Sequence, residues 1–273
     1  MGLRTLEQPL PAPPRARIAI IGGTGVYDPA LFTNVRRVNL HTPYGPTSDE
    51  IEVGKLKGLS VAFLSRHGRG HKLPPHKVPY RANLWALKQL GVERIVSPCA
   101  VGSLQEKIRP GDIVLVDQFI DWTKSRDLTY FDGPKTVHIG AADPFCPELN
   151  GVLWKNAKRL KLKAHKGGTY ICIEGPRFST RAESRMFRQF ADVIGMTMVP
   201  EAQLARELGM CYASIATSTD YDVWADRPVS VEEILRVLDL NVANARRLIE
   251  AAAPEFPKRR ACPCKDALKG AEL

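Results

Sequence analysis

Cys211-Tyr-Ala-Ser-Ile-Ala-Thr-Ser-Thr-Asp-Tyr-Asp222 is the stretch whose reading decides the fold. Cys211 to Ala216 is an apolar run that reads as a buried strand. Residues two apart in an extended chain project from one face, so Asp220 and Asp222 are aimed at one small volume past the strand's C-terminal end. Open α/β sheets bind their ligands there. Two carboxylates facing one site can divide the labour. One is held protonated while the other stays an acceptor, and such a pair can recognise and protonate a nitrogen base. On spacing alone the stronger reading is an ordinary turn, because Asp-Tyr-Asp is common loop chemistry. The rest of the chain reverses that order.

Outward from this stretch, strands and helices alternate. Ile18-Ile21 is a short apolar strand that runs into Gly22-Gly-Thr-Gly25. Ile51-Leu56 and Leu59-Ser65 read as a hairpin broken at Lys57-Gly58. Pro79-Leu90 and the amphipathic Pro147-Leu160 read as helices. Arg94-Ser97, Asp112-Asp117 and Gly168-Glu174 read as strands. Thr180-Arg-Ala-Glu183 has the capping-box pattern and starts a helix reaching about Phe190. Pro200-Leu208 is a further helix, and a second capping box, Ser230-Val-Glu-Glu233, opens a long one to Ala251. No repeat or interdomain linker interrupts the pattern, which predicts a single α/β domain over residues 17–255. A flexible tail is expected at 1–16, and a polar tail with Cys262-Pro-Cys264 at 256–273.

The chain has 273 residues, 44% of them hydrophobic, and a formal net charge of +10. No apolar stretch approaches the ~20 residues of a membrane span. Met1 to Pro14 lacks the apolar core of a signal peptide. The expected location is the cytoplasm, with no membrane partner. A basic protein attracts polyanions and small anionic substrates alike. The positive residues are spread along the chain with no aromatic interleaving and no zinc-finger spacing, so no nucleic-acid partner is expected. The six cysteines are expected as reduced thiols, apart from Cys262-Pro-Cys264, read as a redox-active or structural disulfide. Metal sites want C-x₂₋₄-C with further ligands downstream, and none follow here, so no metal is predicted.

Several short segments carry chemistry. Gly22-Gly-Thr-Gly25 lets backbone N–H groups approach an anion, with Thr24 as a hydroxyl donor, but matches neither a dinucleotide fingerprint nor a P-loop. A tight turn fits it equally well. Arg66-His-Gly-Arg69 follows a strand end, where a guanidinium fork suits phosphate and His67 can donate to the same anion. A basic surface loop is the even alternative. In Glu174-Gly-Pro-Arg-Phe-Ser179, Gly175 and Pro176 build a sharp turn, Arg177 can brace Glu174 or another carboxylate, and Phe178 offers a face for stacking a base. Met196 and Thr197 can flank a sugar, although such residues more often belong to a core.

Together, Ile20-Ile-Gly-Gly-Thr-Gly25, Arg66-His-Gly-Arg69, Gly102-Ser-Leu104, Pro110-Gly-Asp-Ile113, Asp117-Gln-Phe-Ile-Asp121, Glu174-Gly-Pro-Arg-Phe-Ser179, Arg181-Ala-Glu-Ser184 and Thr219-Asp-Tyr-Asp222 resemble the S-methyl-5′-thioadenosine phosphorylases of the purine nucleoside phosphorylase superfamily. The resemblance runs from about Ile18 to about Ala252. It implies a mixed central β-sheet flanked by helices. It implies cleavage of methylthioadenosine by phosphate, giving adenine and 5-methylthioribose 1-phosphate, with no cofactor beyond phosphate as co-substrate. Thr24, Arg66, His67, Thr197 and backbone near Ala100 are implied to hold the phosphate. A hydroxyl residue is usual just before that alanine, and here Cys99 stands in its place. Met196 is implied to lie under the ribose, and Phe178, Ser179 and Thr219 to line the base pocket. Asp220 and Asp222 are implied to face N7 and the 6-amino group. His138 resembles the residue that reaches a neighbouring subunit's site, and Val231 and Ile234 wall the 5′-substituent. The family forms trimers or dimers of trimers.

The chemistry agrees with the resemblance. Breaking the C–N bond leaves negative charge on the purine, which a protonated Asp220 neutralises. A carboxylate opposite an exocyclic amine accepts its N–H, whereas opposite a 6-keto oxygen it meets a lone pair. Asp222 therefore predicts adenine over hypoxanthine by roughly 1–3 kcal/mol. A broader phosphorylase acting on adenosine or inosine is the second reading. A basic nucleic-acid-binding protein is the remote third.

Overall fold

The structure, a computed structural model, describes residues 13–23, 32–225 and 231–272, leaving aside the side chains of 231–234. In chain order the elements are β1 (Ile18–Gly22), β2 (Thr33–Val38), β3 (Ile51–Leu56), β4 (Leu59–Ser65), α1 (Tyr80–Gln89), β5 (Arg94–Ser103), β6 (Ile113–Leu115) and β7 (Gln118–Trp122). They continue with α2 (Pro147–Arg159), β8 (Ala164–Lys166), β9 (Thr169–Ile173), α3 (Arg181–Phe187), β10 (Val193–Gly195), α4 (Met198–Glu207), β11 (Cys211–Asp220) and α5 (Val231–Ala252).

All the strands join one mixed sheet that forks at β5. Its main path is β2-β3-β4-β1-β5-β10-β9-β7, while β11 pairs with β5 and β6, and β6 with β8. β1, β4, β5 and β11 run parallel, so Gly22, Ser65, Ser103 and Asp220 end on the same side. β10 pairs antiparallel with the last residues of β5, Ile194 against Gly102. Parallel strands are covered on both faces, and β11 is buried at nine of its ten positions. That requirement is why its first six residues, Cys211 to Ala216, show no alternation of apolar and charged positions, with the polar run Thr217 to Asp220 gathered at the cavity end.

One face of the sheet carries a core with Leu84 and Leu87 of α1 and Leu204 of α4. The other packs Leu149 and Leu153 of α2 against Leu248 and Ile249 of α5. Each such fully buried aliphatic side chain contributes about 1.5–3 kcal/mol. The hairpin of β3 and β4 has the expected bounds. α3 stops at Phe187, short of the expected Phe190. β2, β7, β8 and β10 escaped the sequence reading because β2 is mostly exposed, β7 is at most half-buried and the other two have three residues each. No helix among the described residues is long and apolar enough to cross a membrane.

The expected Cys262–Cys264 disulfide is absent, because all six cysteines are free thiols. Nor do these two lie in a solvated tail. Cys262 and Cys264 are buried in the α2/α5 core, beside Cys146 and Cys211. The four sulfurs lie within 4.8 Å of one another, with Cys211 and Cys262 3.4 Å apart. The sequence spacing concealed this cluster, since Cys146 and Cys211 arrive from elements far away in the chain. Hydrogen bonding among the sulfurs and burial push the Cys264 thiol up to about 12.

Candidate active site

A cavity of about 320 Å³ opens at the common C-terminal end of β1, β4, β5 and β11. Gly23, Arg66, His67, Cys99, Ala100, Phe178, Ser179, Met196, Thr197, Thr219, Asp220 and Asp222 all line it. Leu238 and Val242 of α5 close one side. Thr24 lies outside the described residues, as do the side chains of Val231 and Ile234 on the first turns of α5. His138 does not line this cavity. Its backbone N–H donates to the Ala271 carbonyl (2.8 Å), beside the bridge between Val137 and Glu272.

The two carboxylates meet as expected, though by a different geometry. β11 ends at Asp220 with a register shift after Ser218, and Asp222 sits beyond it with φ +50°. The Asp222 N–H donates to Asp220 Oδ1 (2.7 Å), an Asx turn. Thr219 Oγ1 donates to Asp220 Oδ2 (2.6 Å). Ser179 Oγ reaches both Asp222 oxygens at 2.9 Å and so ties the Glu174–Ser179 loop to the acid pair. The acid pair is thus a turn whose two residues line the cavity. Gly102 lies under it. A Cβ there would come within 3.1 Å of both Asp220 Oδ1 and Ile194, which explains the glycine.

The loop that carries Phe178 begins at Gly175, φ +70°, where a Cβ would meet the Met196 sulfur at 2.7 Å. Glycine at this turn lets the Met196 side chain reach the cavity. Phe178 is 55% exposed, with its face available beside Ser179. Arg177 does not brace Glu174. It forms a fork with Glu183, both bonds 2.7 Å, and Glu183 is also the capping-box acid of α3. Glu174 instead accepts from the Lys124 and Ser125 N–H groups.

Arg66, which also lines the cavity, is 1% exposed. Burial opposes its charge, but the adjoining Glu201 more than offsets this and holds the guanidinium above its usual range. Nε and Nη2 donate to Glu201 at 2.7 and 2.9 Å. Nη2 also donates to Ser97 Oγ (2.5 Å) and the Ile21 carbonyl (3.1 Å). Ser97 Oγ and Tyr212 OH each donate to Glu201 Oε1, at 2.7 and 2.8 Å. Sequence reading missed Ser97, Glu201 and Tyr212. The available signal was a serine inside the apolar strand at Arg94-Ser97 and an acid in the first turn of a buried helix.

His67 also differs from expectation. Its Nδ1 lies 2.8 Å from the Leu73 carbonyl, and a carbonyl only accepts, so Nδ1 carries the hydrogen. Burial and the Arg66 charge push its pKa down to about 4. At neutral pH the ring is uncharged and Nε2 is an acceptor, not a donor. A histidine with its folded pKa below its unfolded value makes the unfolded state bind more protons, so stability falls as pH drops from 6.5 towards 4. This contribution is on the order of 3 kcal/mol over that window. Urea melts at pH 6.5 and 4.5 should show a smaller loss for His67→Asn than for the parent. Equal losses would show that His67 titrates alike in both states.

Cys99 lines the cavity with its sulfur 3.5 Å from Ser214 Oγ. Burial raises its pKa, so it offers a neutral thiol, a weaker donor than a hydroxyl. Cys99→Thr is expected to lower the KM for phosphate by roughly three- to tenfold, one added hydrogen bond. An unchanged phosphate saturation curve would show that position 99 does not touch the anion.

Residues 17–254 match the family model described as Phosphorylase superfamily. The chain is 58% identical over 253 residues to an S-methyl-5′-thioadenosine phosphorylase of Pyrococcus furiosus, covering 93% of this chain and 98% of that one. To the protein of that name from Saccharolobus solfataricus it is 53% identical over 262 residues, covering 94% and 97%. A solved methylthioadenosine phosphorylase from an antarctic soil metagenomic library superposes with a TM-score of 0.91 at 47% identity, covering 95% of this chain and 93% of that one. A mutant of the Schistosoma mansoni adenosine/methylthioadenosine phosphorylase, solved with adenine, superposes with a TM-score of 0.87 at 35% identity, covering 95% and 99%.

Proposed function

This chain belongs to the phosphorylase superfamily, among the S-methyl-5′-thioadenosine phosphorylases, and from that premise we propose how its cavity performs the phosphorolysis of methylthioadenosine. The observation that carries the reading is that Asp220 and Asp222 line the same cavity as Arg66, His67 and Thr197. The purine lies at the acid pair with Phe178 on its face. Asp222 accepts from the 6-amino group, and Asp220 delivers a proton to N7. Met196 supports the ribose, and Leu238 and Val242 cover the methylthio group. Phosphate bound by Arg66, Thr197 and the backbone near Ala100 attacks C1′ as the C1′–N9 bond breaks. The bond's electrons pass to the purine, and the Asp220 proton leaves with it as neutral adenine. His67 Nε2, an acceptor, takes a hydrogen bond from a phosphate hydroxyl. The fixed anion balances the positive sugar in the transition state. Phosphate is the co-substrate, and no other cofactor is invoked. The free thiols suit a reducing compartment, and the enzyme is assigned to the cytoplasm.

The assembly is a homo-oligomer, a trimer or dimer of trimers. Two observations support it. His138 does not line its own cavity, and large apolar side chains, Trp122, Phe178, Met186 and Phe190, are exposed on and around β7 and α3. Sedimentation of the purified protein tests it, and a monomer at micromolar concentration would count against it. Adenosine is a second substrate. The Schistosoma mansoni neighbour is described as acting on both nucleosides, and Asp222 reads the base, which the two share. Rates with methylthioadenosine, adenosine and inosine test the ranking. Methylthioadenosine is expected first and inosine last, and preferred cleavage of inosine would refute the assignment of Asp222.

A further inference from the structure

We infer that Glu201 is the positioning residue of the phosphate subsite and acts through Arg66. This rests on the reading of Arg66 as a phosphate donor. The side chains of Arg66 and Glu201 are 2% and 1% exposed. An ion pair at that depth loses much hydration, and an apolar pair of equal volume would serve stability as well or better. The charges therefore have another use, and the geometry shows which.

A guanidinium is planar, so fixing Nε and Nη2 fixes the direction of Nη1. Glu201 holds both of those nitrogens, and Nη2 is further held by Ser97 and the Ile21 carbonyl. Nη1 takes part in none of these bonds, while Arg66 lines the cavity. The carboxylate is itself fixed. Oε1 accepts from Arg66, Ser97 and Tyr212, and Oε2 accepts from Arg66 Nε. Ser97 lies on β5, Tyr212 on β11 and Glu201 on α4, and Arg66 follows β4. Residues from three other elements thus converge on one carboxylate of α4, and the sheet sets where Nη1 points. Glu201 also cancels the Arg66 charge, so this donor selects the anion by hydrogen-bond direction more than by net charge.

The test measures phosphate binding by calorimetry without nucleoside, and the KM of each substrate, in Glu201→Gln, Ser97→Ala and Tyr212→Phe. Glu201→Gln is expected to raise both the Kd and the KM for phosphate about tenfold or more, with the nucleoside KM changed less than about threefold. Ser97→Ala, which removes bonds to both Arg66 and Glu201, is expected to weaken phosphate binding more than Tyr212→Phe, which removes one. Wild-type phosphate affinity in a folded Glu201→Gln, or parallel rises in both KM values, overturns the positioning role. If Glu201→Gln does not fold, the other two variants decide, and unchanged phosphate affinity in both overturns it. A parent protein that binds no phosphate would instead show that the reading of Arg66 fails, and the positioning role with it.

Discussion

Asp220→Ala is expected to lower kcat/KM for methylthioadenosine by about 10²- to 10⁴-fold, the usual contribution of a positioned general acid. The loss should fall on kcat, because the proton is needed as charge develops on the purine and not when the nucleoside binds. The variant should stay folded. Asp220 ends β11, and the residues whose hydrogen bonds it accepts, Thr219 (hydroxyl) and Asp222 (N–H), line the cavity, where water can replace the lost carboxylate. Steady-state rates and a thermal melt of the same preparation check both parts. Turnover near the parent's value would remove Asp220 from the mechanism.

Asp222→Asn should reverse the preference between bases. Asn tolerates the left-handed backbone at φ +50°, so the turn survives. The Ser179 hydroxyl, now on both Asp222 oxygens, can bond the remaining carbonyl oxygen. What changes is the new amide N–H₂, a donor where the parent has an acceptor. It pairs with the 6-keto oxygen of inosine and faces the 6-amino group of adenosine without a partner. One lost and one gained pairing of about 1–3 kcal/mol each give a shift in relative kcat/KM of roughly 10²-fold or more towards inosine. A ratio unchanged from the parent would place the 6-position elsewhere in the cavity.

Much of the fold was legible because the buried parallel strands need apolar runs. The runs at Ile18, Leu59 and Cys211 announced themselves, and so did the capped helix at Thr180. What stayed hidden was set by distant contacts. β10 has three residues, yet its pairing with Gly102 places Ile194 beside Asp220. Asp220 and Asp222 were read correctly as converging, but for the wrong reason, since an Asx turn and a positive φ bring them together and not strand alternation. The thiol cluster and the Glu201 network were out of reach for one cause. Each joins residues separated by tens to more than a hundred positions, and nothing local marks a buried acid as the partner of a particular arginine.

The most direct test of the account follows phosphate itself. Methylthioadenosine and the enzyme in buffer freed of orthophosphate should release essentially no adenine. Adding phosphate should start the reaction, and ³¹P NMR should show one sugar 1-phosphate formed for each adenine released. Adenine release at the same rate without phosphate, or release with free 5-methylthioribose and no new phosphorus resonance, would mean that water is the nucleophile and would contradict the account.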